Sequence, residues 1–100
     1  MKKVSFHSEA RLELLDQISY YEEEQPGLGQ RFRAEIESAV ALAASQPFIG
    51  SKYKYGTRRV FPRKFPCSVV YIPRDSEIVI LAVAHFRRKP GYWRTRRITP

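Results

Sequence analysis

One hundred residues, 43% hydrophobic and 28% charged, fit one folded domain spanning 1–100 with a single modest core, and exclude a disordered chain. The longest apolar run, 78–84, is far shorter than a membrane span requires. The net charge of +8 is uneven: residues 1–50 hold five Lys/Arg against eight Asp/Glu (5 − 8 = −3), and residues 51–100 hold thirteen against two (13 − 2 = +11).

In chain order, "KKVSF" (2–6) alternates, with Val4 and Phe6 on one face, and predicts a short strand. The two lysines at the start have no apolar stretch behind them, so no secretory signal is expected. Ser8 is the expected N-cap of a helix, with Glu9 suited to the positive end of its dipole. Ala10, Leu14, Ile18 and Tyr21 then recur at helical spacing, with Leu15 widening the stripe. "EEE" (22–24) reads as a solvated face. "QPGLG" (25–29) breaks this helix at a point where small residues permit close packing. A second stripe, Leu28, Phe32, Ile36, Val40 and Ala43, runs until Pro47 stops it. A short link between two such helices predicts an antiparallel helical hairpin.

The period then changes. "GTRRVF" (56–61), "PCSVVYIP" (66–73) and "EIVILAVAH" (77–85) are β-branched and aromatic runs separated by the turn-like segments "PRKF" and "PRDSE". The third run is apolar on both faces, which predicts the central, doubly covered strand. The expected fold is α+β, in the order β-α-α-β-β-β, an antiparallel-rich sheet with the helical hairpin packed on one face.

Two histidines and one cysteine, Cys67, give neither a metal-ligand pair nor a disulfide, so no metal and no cofactor are expected, and the reducing cytoplasm is the expected compartment. Most of the chemistry is cationic and aromatic. Lys52, Lys54, Arg58, Arg59, Arg63, Lys64, Arg87, Arg88, Lys89, Arg94, Arg96 and Arg97 are interleaved with Tyr53, Tyr55, Phe61, Phe65, Phe86, Tyr92 and Trp93. Guanidinium forks hold phosphates and carboxylates, so an acidic partner is expected: nucleic acid, an acidic protein segment, or both. The target-binding candidates are Arg58, Arg59, Arg63, Lys64, Arg87, Arg88, Tyr92 and Trp93. Phe61, Phe65 and Tyr71 are expected to serve the core.

His85 ends the third run. Alternation places it on one face with Val79, Leu81 and Val83, where a hydrogen-bonded structural role is the ordinary expectation. An imidazole beside arginines and Tyr92 also suits acid–base work in metal-free phosphodiester cleavage, with Arg87 or Arg88 stabilising the charged transition state.

The segments "SYYEEEQPGLGQRF" (19–32), "ASQP" (44–47), "RRVFPRKFPCSVVY" (58–71) and "ILAVAHFRRKPGYWRTR" (80–96) resemble the RelE/ParE toxin superfamily of bacterial toxin–antitoxin systems. The likeness covers nearly the whole chain and is strongest to the ParE branch, the plasmid-stabilisation proteins. It implies a small cytoplasmic toxin, held inactive in a hetero-oligomer with a cognate antitoxin, that inhibits growth by trapping DNA gyrase on DNA. Such a protein has no catalytic residues of its own. The alternative implied by the RelE branch is a ribosome-dependent, metal-independent mRNA endonuclease, whose catalytic candidates here are His85, Arg87, Tyr92 and Arg59. A basic nucleic-acid-binding module is a third reading, although no helix-turn-helix or stacking-platform motif supports it.

Overall fold

The computed structural model describes residues 1–96 and has the order β1 (Lys3–Phe6), α1 (Ser8–Glu24), α2 (Leu28–Ser45), β2 (Ser51–Lys52), β3 (Arg58–Val60), β4 (Cys67–Pro73) and β5 (Glu77–His85). The α+β class and the helical hairpin are as expected, and β2 is an additional two-residue edge strand. The sheet order is β1-β5-β4-β3-β2, with β1 parallel to β5 and the other pairs antiparallel. β5 is therefore interior and covered on both faces, but β4 holds the middle position.

α1 starts where expected, but the cap is His7: its Nδ1 accepts from the Glu9 N–H at 3.1 Å, and Ser8 is already helical. Ala10 is fully buried and Leu14, Ile18 and Tyr21 pack on the core, whereas Leu15 is 51% exposed. The stripe of α1 is thus narrower than its sequence suggests. Glu22 is no idle member of an acidic run. Its carboxylate accepts from the Gly27 and Gly29 N–H groups at 2.8 and 3.0 Å, satisfying free donors at the start of α2. Gly29 permits the close crossing, since a Cβ there would lie 2.5 Å from the Ile18 carbonyl oxygen.

One face of the sheet carries Val69, Tyr71, Ile78, Ile80 and Val83 against the helices. Tyr71 is the core residue expected. It donates to the Pro47 carbonyl at 2.8 Å and accepts from the Gly50 N–H at 3.1 Å, tying the loop after α2 to the sheet. Phe65 stacks edge-on with Tyr21 and Phe32, but Phe61 is 49% exposed and pairs with Phe86 instead.

The opposite face carries Val70, Val79, Leu81, Ala82 and Ala84, covered by Trp93 with Tyr53 and Tyr92. A bulge shifts the alternation. Val70 pairs with Ala82 and Tyr71 with Ile80, leaving Leu81 without a cross-strand partner. Val79 and Leu81 therefore face the tail, while Val83 faces the helices. Two positions on, His85 follows Val83 and not, as expected, all three.

Candidate target-binding site

Among the described residues, β1 pairs with β5 over Glu77–Ile80 and no strand pairs with the upper part of β5 on that side. Side chains fill the place of the missing strand. The Val83 N–H donates to Glu13 Oε1 at 3.0 Å, the Val83 carbonyl accepts from Gln17 Nε2 at 2.9 Å, and the Leu81 carbonyl accepts from Arg96 at 2.8 Å. Backbone groups there are satisfied without exposing a pairing edge.

The chain leaves β5 at His85 in a tight turn. The Arg87 N–H donates to His85 Nδ1 at 3.1 Å, and the Arg88 N–H to the His85 carbonyl at 2.9 Å. Burial, followed by the Arg87 charge, holds the imidazole pKa below its usual value. After the Lys89-Pro90 turn, Gly91 takes φ +83°, with Tyr55 so close that a Cβ would meet its ring at 2.8 Å. Trp93 is then buried, 1% exposed, against Tyr53 and Tyr55.

Glu13 fixes the end of this tail. Its carboxylate accepts from the Tyr92 hydroxyl at 2.6 Å and from both terminal nitrogens of Arg96 at 3.0 and 2.7 Å. Arg88 lies 3.9 Å from the same carboxylate and 3.8 Å above the Tyr92 ring. Burial first, and then Glu13, push the Tyr92 phenol well above the ordinary tyrosine range.

The expected site residues fall into three groups. Arg59, His85, Arg88, Tyr92 and Trp93 line one recess of about 220 Å³. His85, Arg87 and Arg88 also border a wider cavity of about 640 Å³ against Glu13, Asp16 and Gln17 of α1. Arg58, Arg63 and Lys64 line neither. Arg58 is turned inward to the Phe48 and Gly50 carbonyls at 3.0 and 2.8 Å, whereas Arg63 and Lys64 are exposed in the β3–β4 turn. Trp93 is anchored inside, Tyr92 is bonded to Glu13, Arg88 lies over the Tyr92 ring, and Arg87 projects. Arg97, the last residue of the cationic tail, lies outside the described residues.

Sequence reasoning missed Glu13 and Gln17. A signal existed, since both lie one position before stripe residues of α1, as acid and amide against an otherwise apolar edge.

No curated protein matches the chain. A solved structure described as the chromosomal ParDE TA system from P. aeruginosa matches with a TM-score of 0.67 at 19% identity, covering 85% of this chain and 96% of that one. At that identity the likeness supports the fold. The family described as ParE toxin of type II toxin-antitoxin system, parDE, matches residues 4–90. With the helical hairpin, the five-stranded sheet and most of the chain covered, this protein belongs to the ParE toxin family.

Proposed function

We propose that this ParE toxin inhibits growth in the cytoplasm by poisoning DNA gyrase and is neutralised by a cognate antitoxin bound to it. The observation that carries a binding poison over a nuclease is the state of Tyr92. Its hydroxyl is given to Glu13 at 2.6 Å and its proton is held more tightly than in a free phenol, which suits a strut better than an acid or base. His85 Nδ1 is likewise engaged by the Arg87 N–H. Arg87 stands exposed, and Arg88, half exposed over the Tyr92 ring, stands beside it on a rigid base, as a binding surface requires.

Charge supports an acidic antitoxin segment, since thirteen of the eighteen Lys/Arg residues lie in the second half of the chain. Association should then slow steeply between low and physiological salt. A rate insensitive to salt contradicts that part of the proposal.

The mRNA endonuclease reading has one observation in its favour: Arg59, His85 and Tyr92 line a common recess. Supercoiling and cleavage-complex assays with gyrase, beside primer extension on translated mRNA, separate the two. Gyrase-dependent DNA breaks without mRNA cuts are expected. Discrete mRNA cuts with unaffected gyrase overturn gyrase poisoning.

A further inference from the structure

We infer that Arg88 is the pre-oriented arginine of the exposed turn, and that Tyr92 and Glu13 are positioning residues that act through it. The inference rests on the reading above, in which this turn is the toxin's binding surface, and it divides the labour between two adjacent cations.

The backbone of the turn is fixed at both. The Arg87 N–H donates to His85 Nδ1 and the Arg88 N–H to the His85 carbonyl. The side chains differ. The Arg88 guanidinium lies 3.8 Å above the Tyr92 ring, where the ring face attracts the cation and sets the plane of the fork. Among the described residues, no ion pair and no ring stack engages Arg87, which is exposed.

Tyr92 can serve as a platform because it is itself held. Its hydroxyl donates to Glu13 Oε2 at 2.6 Å and its backbone N–H to the Lys89 carbonyl at 3.1 Å. A second guanidinium, that of Arg96, lies 5.1 Å from the same ring.

Glu13 completes the arrangement without capturing Arg88. Its Oε1 accepts from the Val83 N–H and Arg96, and its Oε2 from Tyr92 and Arg96. Arg88, at 3.9 Å, is drawn toward a carboxylate already filled by shorter bonds and is not hydrogen-bonded to it. Arg96 balances the Glu13 charge, so Arg88 is the surplus cation of the cluster. Its donors are aimed but uncommitted.

An arginine ordered only on binding gives up rotamer entropy at that moment, and one already ordered does not. Arg88 therefore contributes more to the bound state than Arg87, although the two carry the same charge and are adjacent in sequence. Arg87 acts mainly by long-range attraction.

The test compares variants of the full-length toxin, after matching melting curves, by the toxin concentration that gives half the maximal gyrase-cleaved DNA. Arg88→Ala should raise that concentration about tenfold or more, and Arg87→Ala about threefold or less. Arg88→Lys keeps the charge but lacks the flat fork, and should still raise it about fivefold or more. Tyr92→Leu should act like Arg88→Ala, whereas Tyr92→Phe keeps the ring and should stay within about threefold of wild type. A mere strut would not show the coupling expected next. Tyr92→Leu should add less than about twofold to Arg88→Ala, yet keep its full effect beside Arg87→Ala. If Tyr92→Leu fails to fold, Arg88→Lys and Arg87→Lys decide, with only the first losing potency.

A Tyr92→Leu loss that is equal in both backgrounds overturns the inference. So does an Arg88→Lys variant as potent as wild type, or a larger loss from Arg87→Ala than from Arg88→Ala. Absence of gyrase breaks with wild type strikes the gyrase reading and not this one. Growth inhibition by the same series should then show the same order, and any other order overturns the inference. A wild-type chain that neither breaks DNA nor slows growth overturns both.

Discussion

The Glu13 carboxylate in α1 is held by both terminal nitrogens of Arg96, 83 residues later in the chain, at 2.7 and 3.0 Å. Both side chains are 12% exposed, so the pair is largely shielded from water. Together with Tyr92 it fastens the C-terminal tail across the free edge of β5. The cationic turn before it thereby gains a fixed position.

Glu13→Ala should destabilise the fold by roughly 3–5 kcal/mol, because the Arg96 charge would remain buried without its partner. The Val83 N–H would lose its acceptor as well. Urea unfolding gives the stability, and amide exchange at Val83 should accelerate in the variant. An unchanged midpoint with unchanged exchange would show that the tail is held by Trp93 alone.

Much of the scaffold is legible in the sequence because burial there follows simple periods. Phe32, Ile36, Val40 and Ala43 recur at helical spacing and are all buried. Ile78–Ala84 is apolar throughout because both sides of β5 are covered. That same uniformity hides the bulge at Leu81: a one-residue slip in an all-apolar strand leaves no mark in the hydropathy pattern. Alternation therefore misplaced His85 relative to Val79 and Leu81. The Glu13–Tyr92–Arg96 cluster is illegible for another reason, since its members meet only after the tail has folded over the sheet. Arg58 and Arg59 are adjacent in sequence, yet one is bonded to a loop and the other is stacked over Tyr53; only tertiary contacts separate them.

The His85 pKa is lowered in the folded protein, by burial and then by Arg87. As pH falls through the ordinary histidine value of about 6.5, the unfolded chain takes up the proton before the folded one. His85 thus contributes stability above that pH, and the contribution is lost as pH falls through the lower folded pKa. His85→Gln should flatten this part of the stability profile between about pH 7 and pH 5. If His85 is structural, the variant also keeps its toxicity, because an amide can replace the imidazole as acceptor for the Arg87 N–H. Urea midpoints across the range, with a plating assay, check both. A folded but harmless variant would transfer His85 to the active machinery.

Gly29→Ala should loosen the helical hairpin. The added methyl would lie 2.5 Å from the Ile18 carbonyl oxygen and 2.9 Å from the Glu22 side chain. The backbone must move, at about 1–3 kcal/mol, as in other overpacked contacts. Thermal melting measures the loss, and a melting temperature equal to wild type would show that α2 slides freely on α1.

The double variant Arg87→Ala, Arg88→Ala probes the surface this scaffold presents. Both residues are exposed, with the Arg88 side chain 54% accessible, so each should cost only about 0–1 kcal/mol of stability. The decisive measurement is the amount of gyrase-cleaved DNA trapped by wild-type toxin and by this variant, after matching melting curves. A gyrase poison acting through the turn gives abundant breaks with wild type and about tenfold fewer or less with the variant, as expected for losing charge-assisted contacts. Equal breaks with both proteins, or none with wild type, would contradict it.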